Sequence, residues 1–242
     1  AVIVIEPLVQ GAAGIIVHPS GFLKGVEALA RKYGVLLIVD EVATGFGRTG
    51  KMFACEHDDV RPDLMCMAKG ISAGYLPLAA TLTTQTIFDA FTESGNIYKT
   101  FYHGHTYTGN ALGCAAALAS LELFTENRIL ESMPDKIDLI DEYFKRFAKL
   151  PYVGNVRQCG MIGAIELVKD KQTKEPFPSQ DKIGANVCAA MRPKGAMMRP
   201  LGNVVVLMPA VGMDIETLKK LLEIVQDTLI NELPIITGKK PA

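Results

Sequence analysis

Apolar residues in the first third of the chain come as short unbroken runs rather than as stripes. Residues 1–5 (Ala-Val-Ile-Val-Ile) and 35–39 (Val-Leu-Leu-Ile-Val) have strand length and the continuous apolar character of strands buried on both faces. Between them Phe22, Leu23, Val26, Leu29 and Ala30 recur at helical spacing. That predicts a helix over 21–33 with Ser20 as N-cap and Gly34 as stop. Strand, helix and strand in this order predict a parallel, right-handed unit, whose ligands collect at the carboxyl ends of the strands. Glu6 and Asp40 both fall there. Further strands are predicted at 64–68 and 76–82, flanking a glycine-bearing loop at 69–74. Residues 111–124 are alanine-rich and apolar on nearly every side, the pattern of a helix buried in a large protein or against another subunit.

Beyond residue 126 the pattern changes. A more charged helical stretch is predicted at 134–150, a strand at 161–168, a polar loop at 169–180 and a helix at 181–192. Short strands at 196–199 and 204–208 precede a closing helix capped by Asp214, with Ile215, Leu218, Leu222, Val225 and Leu229 on one stripe. We therefore expect an α/β chain in two domains, 1–126 and 127–242, the first built on a mostly parallel sheet. The chain opens inside a strand, with no initiator methionine or leading turn, and reads as part of a longer protein.

Composition narrows the partners. Across 242 residues, 25 Lys+Arg against 26 Asp+Glu give a net charge of -1, which argues against a broad nucleic-acid footprint and for small molecules or other subunits. The five cysteines, Cys55, Cys66, Cys114, Cys159 and Cys188, form no C-x-x-C pair; an odd, scattered set points to free thiols in a reducing compartment. No segment reads as a signal peptide or a membrane span, so we expect a cytoplasmic protein with no membrane partner.

The candidate chemistry centres on Asp40, which closes the 35–39 strand, and Lys69, which opens the loop after the 64–68 strand. Pyridoxal phosphate needs a primary amine to hold its aldehyde and an anion beside its pyridine nitrogen, and these two residues supply both. Spacing alone also allows a loop-capping acid and an exposed lysine. The glycines of the 45–50 run lack the order of a dinucleotide or Walker loop and equally suit a tight turn. Arg48 within it suits either a carboxylate clamp or an ordinary ion pair. His103 and His105 are two apart with no accompanying carboxylate or cysteine cluster, so no metal site is predicted. Thr106, Tyr107 and the amides around Gly104 suit phosphate oxygens near the start of the 111–124 helix; the alternative is a turn with a hydroxyl N-cap.

Three blocks together are specific: Asp40-Glu41-Val42-Ala43-Thr44-Gly45-Phe46-Gly47-Arg48-Thr49-Gly50, then Ala68-Lys69-Gly70, then His103-Gly104-His105-Thr106-Tyr107-Thr108-Gly109-Asn110. In this order the chain closely resembles the class III, pyridoxal-phosphate-dependent aminotransferases of fold type I, over essentially its whole length. The resemblance implies that Lys69 carries the cofactor, Asp40 pairs with the pyridine nitrogen and Val42 packs on a ring face. It implies that His105 and Thr106 reach the cofactor phosphate of a neighbouring subunit in a homodimer with shared active sites, with Gly104 beside the substrate. Arg199 matches an arginine that holds a substrate carboxylate, and Arg48 one that lines the substrate channel. Two departures stand out. The family's amino-terminal half, with its Gly-Ser phosphate loop and ring-stacking aromatic, has no counterpart here, so the piece on its own is expected to be inactive. Val206 replaces a tyrosine of the adenosylmethionine-using members and His105 a proline, which leaves the amino donor open between adenosylmethionine and lysine. A class III ω-aminotransferase of other specificity, or a non-catalytic fragment, are the alternative readings.

Overall fold

In a computed structural model the described residues are 1–92 and 97–238. In chain order the elements are β1 (Val2–Ile5), β2 (Val9–Gln10), β3 (Ile16–Val17), α1 (Phe22–Lys32), β4 (Leu36–Asp40), β5 (Leu64–Met67), β6 (Ala80–Thr83), α2 (Gln85–Thr92) and α3 (Ala111–Glu126). There follow α4 (Met133–Phe147), β7 (Val153–Cys159), β8 (Ile162–Leu167), α5 (Ile183–Met191), β9 (Arg199–Leu201), β10 (Val204–Leu207), α6 (Ile215–Asp227) and α7 (Leu233–Ile236). They form two compact units: Ala1–Leu8 with His18–Leu130, and Val9–Val17 with the residues from Glu131 onward.

The first unit holds a four-stranded sheet in the order β1-β4-β5-β6. β1, β4 and β5 are parallel, and β6 runs antiparallel at the edge. The expected α/β architecture with a mostly parallel sheet is what the chain adopts. On one face α1 buries Leu23 and Ala30 against Leu37 and Val39, with Ile3, Ile5 and Met65 around them. On this scale each fully buried Leu or Val contributes about 1.5–3 kcal/mol. Val2, Val4 and Leu36 remain exposed. α1 ends as expected at Gly34, whose φ of 60° lets the Val35 amide reach back to the Ala30 carbonyl at 2.9 Å. Its start differs: Gly21, left-handed at φ 76°, is the N-cap, no side chain caps the helix, and Ser20 lies one residue outside. Arg31 then grips Asp63 through both carboxylate oxygens (2.9 and 2.7 Å), while the same carboxylate accepts the Leu37 amide at 2.7 Å, so helix and strand ends are tied to one acid.

β6 begins at Ala80 rather than 76. Pro77 has no amide to donate, and the Leu76 carbonyl is taken by the Ser72 hydroxyl at 2.5 Å, so these residues join no ladder. Within this chain α3 buries only Gly113, Ala117 and Ser120, while Leu112, Leu118, Leu121 and Leu123 are exposed, which leaves the expected cover by further chain or another subunit untested.

The second unit is an antiparallel sheet, β7-β8-β10-β9, with α4, α5 and α6 supplying its apolar core. The Asp214 cap holds, its carboxylate accepting the Thr217 amide at 2.8 Å. Leu218, Leu222, Val225 and Leu229 are buried, but Ile215 is exposed, because it lies in the first turn beyond the core. β7 was not expected: its Arg157 and Gln158 break the apolar pattern, yet each finds a backbone partner. Arg157 donates to the carbonyls of Ile15 (2.9 Å) and Gly14 (2.8 Å), which pins the β2–β3 ribbon, and Gln158 donates to the Ile137 carbonyl at 2.9 Å. Several glycines here are sterically required, Gly163 and Gly184 among them. A Cβ on Gly163 would lie 2.5 Å from the Phe144 ring, and one on Gly184 would lie 2.2 Å from the Gly202 carbonyl oxygen. We expect Gly184→Ala, pressed against backbone, to cost about 1–3 kcal/mol in urea unfolding of the full-length protein; an unchanged midpoint would disprove the clash.

Candidate active site

β4 and β5 are neighbours in register, Asp40 opposite Cys66, so the chain leaves both strands at the same sheet end. Asp40 is the last residue of β4, and Lys69 opens a 3-10 turn (Lys69–Ser72) two residues after β5. A carboxylate and a primary amine are thus presented from adjacent parallel strands at their carboxyl ends, where open α/β sheets bind ligands. Asp40 is partly buried and Lys69 exposed. The Asp40 carboxylate accepts the Val42 amide at 3.0 Å, which turns the chain after the strand and fixes the carboxylate.

Lys69 has φ 46°, a left-handed conformation unusual for a side chain of this size. Its neighbour explains how it is held. A Cβ on Gly70 would lie 2.7 Å from the Phe46 Cβ, so the loop rests directly on Phe46, itself buried and left-handed at φ 56°. Phe46 meets Phe53 edge-on at 5.5 Å. From the other side the Ser120 hydroxyl of α3 reaches the Gly70 carbonyl at 3.5 Å. Strained backbone held this firmly is characteristic of sites where a side chain must be aimed.

The glycine run at 45–50 is a tight loop, as one of its two readings had it. Gly47 and Gly50 have φ of 81° and 98°, and a Cβ on Gly45 would meet the Glu41 carbonyl at 2.9 Å. Arg48 within it is partly buried, and burial holds its pKa below the ordinary arginine value. Next to Asp40, Glu41 is fully buried. Sequence reasoning passed over it, although Thr44, three residues on, was a visible partner.

Gly104, His105 and Thr106 lie in an exposed turn ahead of α3, hydrogen-bonded within itself. The His105 amide donates to the Thr108 hydroxyl (3.0 Å), and the Thr108 amide donates to the His105 carbonyl (2.9 Å). The helix cap is not a hydroxyl: the Asn110 side chain accepts the Leu112 and Gly113 amides at 2.9 and 3.4 Å. Among the described residues no three His, Cys, Asp or Glu side chains group as metal ligands, and no helix is long and apolar enough to cross a membrane.

In the second unit Arg199 opens β9 directly opposite Val206 of β10. Cross-strand partners share a sheet face. Both residues line a cavity of about 710 Å3 that also takes Met197, Met208, Met213 and Lys220. The two positions singled out for substrate and donor are therefore side by side.

Comparison with known proteins identifies the family. Residues 1–229 match the family described as aminotransferase class-III. The chain is 53% identical over 236 residues to the adenosylmethionine-8-amino-7-oxononanoate aminotransferase of Geobacter sulfurreducens, covering 98% of this chain and 51% of the relative. The crystal structure of the enzyme of that name from Methanocaldococcus jannaschii superimposes with a TM-score of 0.90 at 43% identity, over 93% of this chain and 52% of the other. An (S)-enantioselective ω-transaminase from Thermomicrobium roseum superimposes with a TM-score of 0.89 at 37% identity, over 95% of this chain and 50% of the other. The chain thus spans about half the length of the curated relatives it matches. With the amine and carboxylate at adjacent strand ends and a family match running through both units, the chain belongs to the class III aminotransferases.

Proposed function

We propose that the full-length protein is a cytoplasmic, pyridoxal-phosphate-dependent aminotransferase that converts 8-amino-7-oxononanoate to 7,8-diaminononanoate in biotin synthesis. The amino donor is adenosylmethionine or lysine, and the two half-reactions alternate in a ping-pong sequence. The observation that carries this reading is the presentation of Asp40 and Lys69 from the carboxyl ends of adjacent parallel strands. The acceptor is taken from the name shared by relatives 50–55% identical to this chain.

The donor set suits the cofactor: a fixed carboxylate, an exposed primary amine and a branched apolar side chain at Val42. When bound, pyridoxal phosphate supplies an electron sink for the electron pair left by loss of the α proton. Asp40 would keep the proton on the pyridine nitrogen. Lys69 would hold the cofactor covalently and, once displaced by the incoming amine, act as the base that moves the α proton. Val42 would press on the ring. His105 and Thr106 would serve the phosphate bound by the neighbouring subunit of a homodimer, which accords with their exposure here. Gly104 would lie beside the substrate, Arg48 would line the channel, and Arg199 would hold the acceptor's carboxylate in a two-pronged ion pair. In this reading 1–126 is part of the large cofactor-binding domain and 127–242 the small domain.

Incubating the full-length protein with pyridoxal phosphate, 8-amino-7-oxononanoate and each donor in turn tests the proposal, with 7,8-diaminononanoate detected by mass. Absence of product with both donors overturns the substrate assignment. Arg199→Ala is expected to raise the acceptor KM about tenfold or more while leaving the donor half-reaction near its original rate. An unchanged acceptor KM would favour an ω-aminotransferase of other specificity.

A further inference from the structure

Glu41 lies between Asp40 and Val42, the two residues assigned to the cofactor ring, and is fully buried. Its carboxylate is held at both oxygens: one accepts the Thr44 hydroxyl at 2.6 Å, the other the Cys55 amide at 2.8 Å. Its backbone is held equally. The Glu41 amide donates to the Cys66 carbonyl of β5 at 2.9 Å, and its carbonyl accepts the Gly45 amide at 2.9 Å. One residue thus joins the end of β4, the adjacent strand, the glycine loop that carries Arg48 and the turn at Ala54–Asp58. An acid so placed cannot meet a ligand. Its bonds restrict the backbone on either side, and on either side stand the groups that do.

We propose that Glu41 is a positioning residue for cofactor binding, locking the Asp40 carboxylate and Val42 at the spacing the pyridine ring requires. The inference rests on the reading given above. Burial first, and then the Glu41 carboxylate, pushes the neighbouring Cys55 thiol up to about 12, so it stays protonated at neutral pH.

The test uses the full-length protein as Glu41→Met, Glu41→Gln and Thr44→Val, with wild type beside them. Three quantities are measured: the pyridoxal phosphate dissociation constant by fluorescence, the pH dependence of the visible absorption band, and the melting temperature of the cofactor-free protein. Glu41→Met removes both acceptors and is expected to weaken the cofactor about tenfold or more and to shift the pH midpoint of the band. Glu41→Gln can still accept the Cys55 amide while donating to the Thr44 hydroxyl, so it should recover most of the loss. Thr44→Val removes one bond and should fall between wild type and Glu41→Met; it decides the matter if Glu41→Met does not fold. Lower melting temperatures with wild-type affinity and band in every folded variant would reduce Glu41 to a purely structural residue and overturn the inference. Failure of wild type to bind the cofactor would instead overturn the function on which it rests.

Discussion

Lys69→Ala in the full-length protein is expected to abolish transamination and covalent attachment of pyridoxal phosphate together. The amine serves twice in the proposed chemistry, as the group that holds the cofactor and as the base that moves the proton. The second role by itself is worth about 10²–10⁴-fold in rate. Among the described residues no other lysine follows the carboxyl end of β4 or β5 within three positions. Borohydride reduction followed by peptide mass analysis should place the cofactor on the peptide containing Lys69 in wild type and nowhere in the variant. Lys69→Arg should be as inactive as the alanine, since a guanidinium stays protonated and cannot act as the base. A cofactor fixed to another lysine, or an alanine variant that keeps even a tenth of its rate, would remove Lys69 from the mechanism. Because Lys69 is exposed and its side chain fills no core, the variant should fold normally.

Asp40→Asn separates charge from shape. Asparagine keeps the side-chain oxygen that accepts the Val42 amide at 3.0 Å, so the turn after β4 survives and the melting temperature of the cofactor-free protein should be unchanged. In the proposed chemistry, what is lost is the negative charge that would face the pyridine nitrogen. Two unit charges at 4 Å in an effective dielectric of 20 interact by about 4 kcal/mol, which is roughly a thousandfold in rate. The expected result is a protein that still binds pyridoxal phosphate through Lys69 but turns over about a thousandfold more slowly. Near-normal turnover would show that Asp40 is a turn-forming residue only, the plain reading that spacing also allowed. Asp40→Ala, which loses the turn as well, should in addition bind the cofactor less tightly.

Where the candidate residues stand in the fold was largely legible in the sequence, and for a local reason. Continuous apolar runs, the Gly34 stop and the Asp214 cap express forces between residues a few positions apart; the runs form strands, though with Val2, Val4 and Leu36 exposed rather than buried on both faces, and the stop and the cap hold. Asp40 and Lys69 were legible in the same way, because a residue that closes a buried strand or follows it by two positions is placed at the sheet end by the strand itself.

Other features depend on groups far apart in sequence, and there local reasoning failed. Ser20 is a good cap by type, but the entry of α1 is turned by left-handed Gly21, so the helix begins without it. β7 was hidden because Arg157 and Gln158 look like surface residues until the carbonyls of Gly14, Ile15 and Ile137 arrive to accept their hydrogens. Nothing in Ala68-Lys69-Gly70 announces that Gly70 must be bare for Phe46 to fit beneath it. Glu41, quoted in the motif yet given no part, shows its importance only when the Cys55 amide, fourteen positions on, closes on its carboxylate. Periodicity and capping are written into neighbouring residues, so the chain's own order settles which elements form and which side chains end them. The aim of Lys69 and the locking of Asp40 come from packing between elements, which takes effect only once the sheet, its loops and α3 have closed on one another.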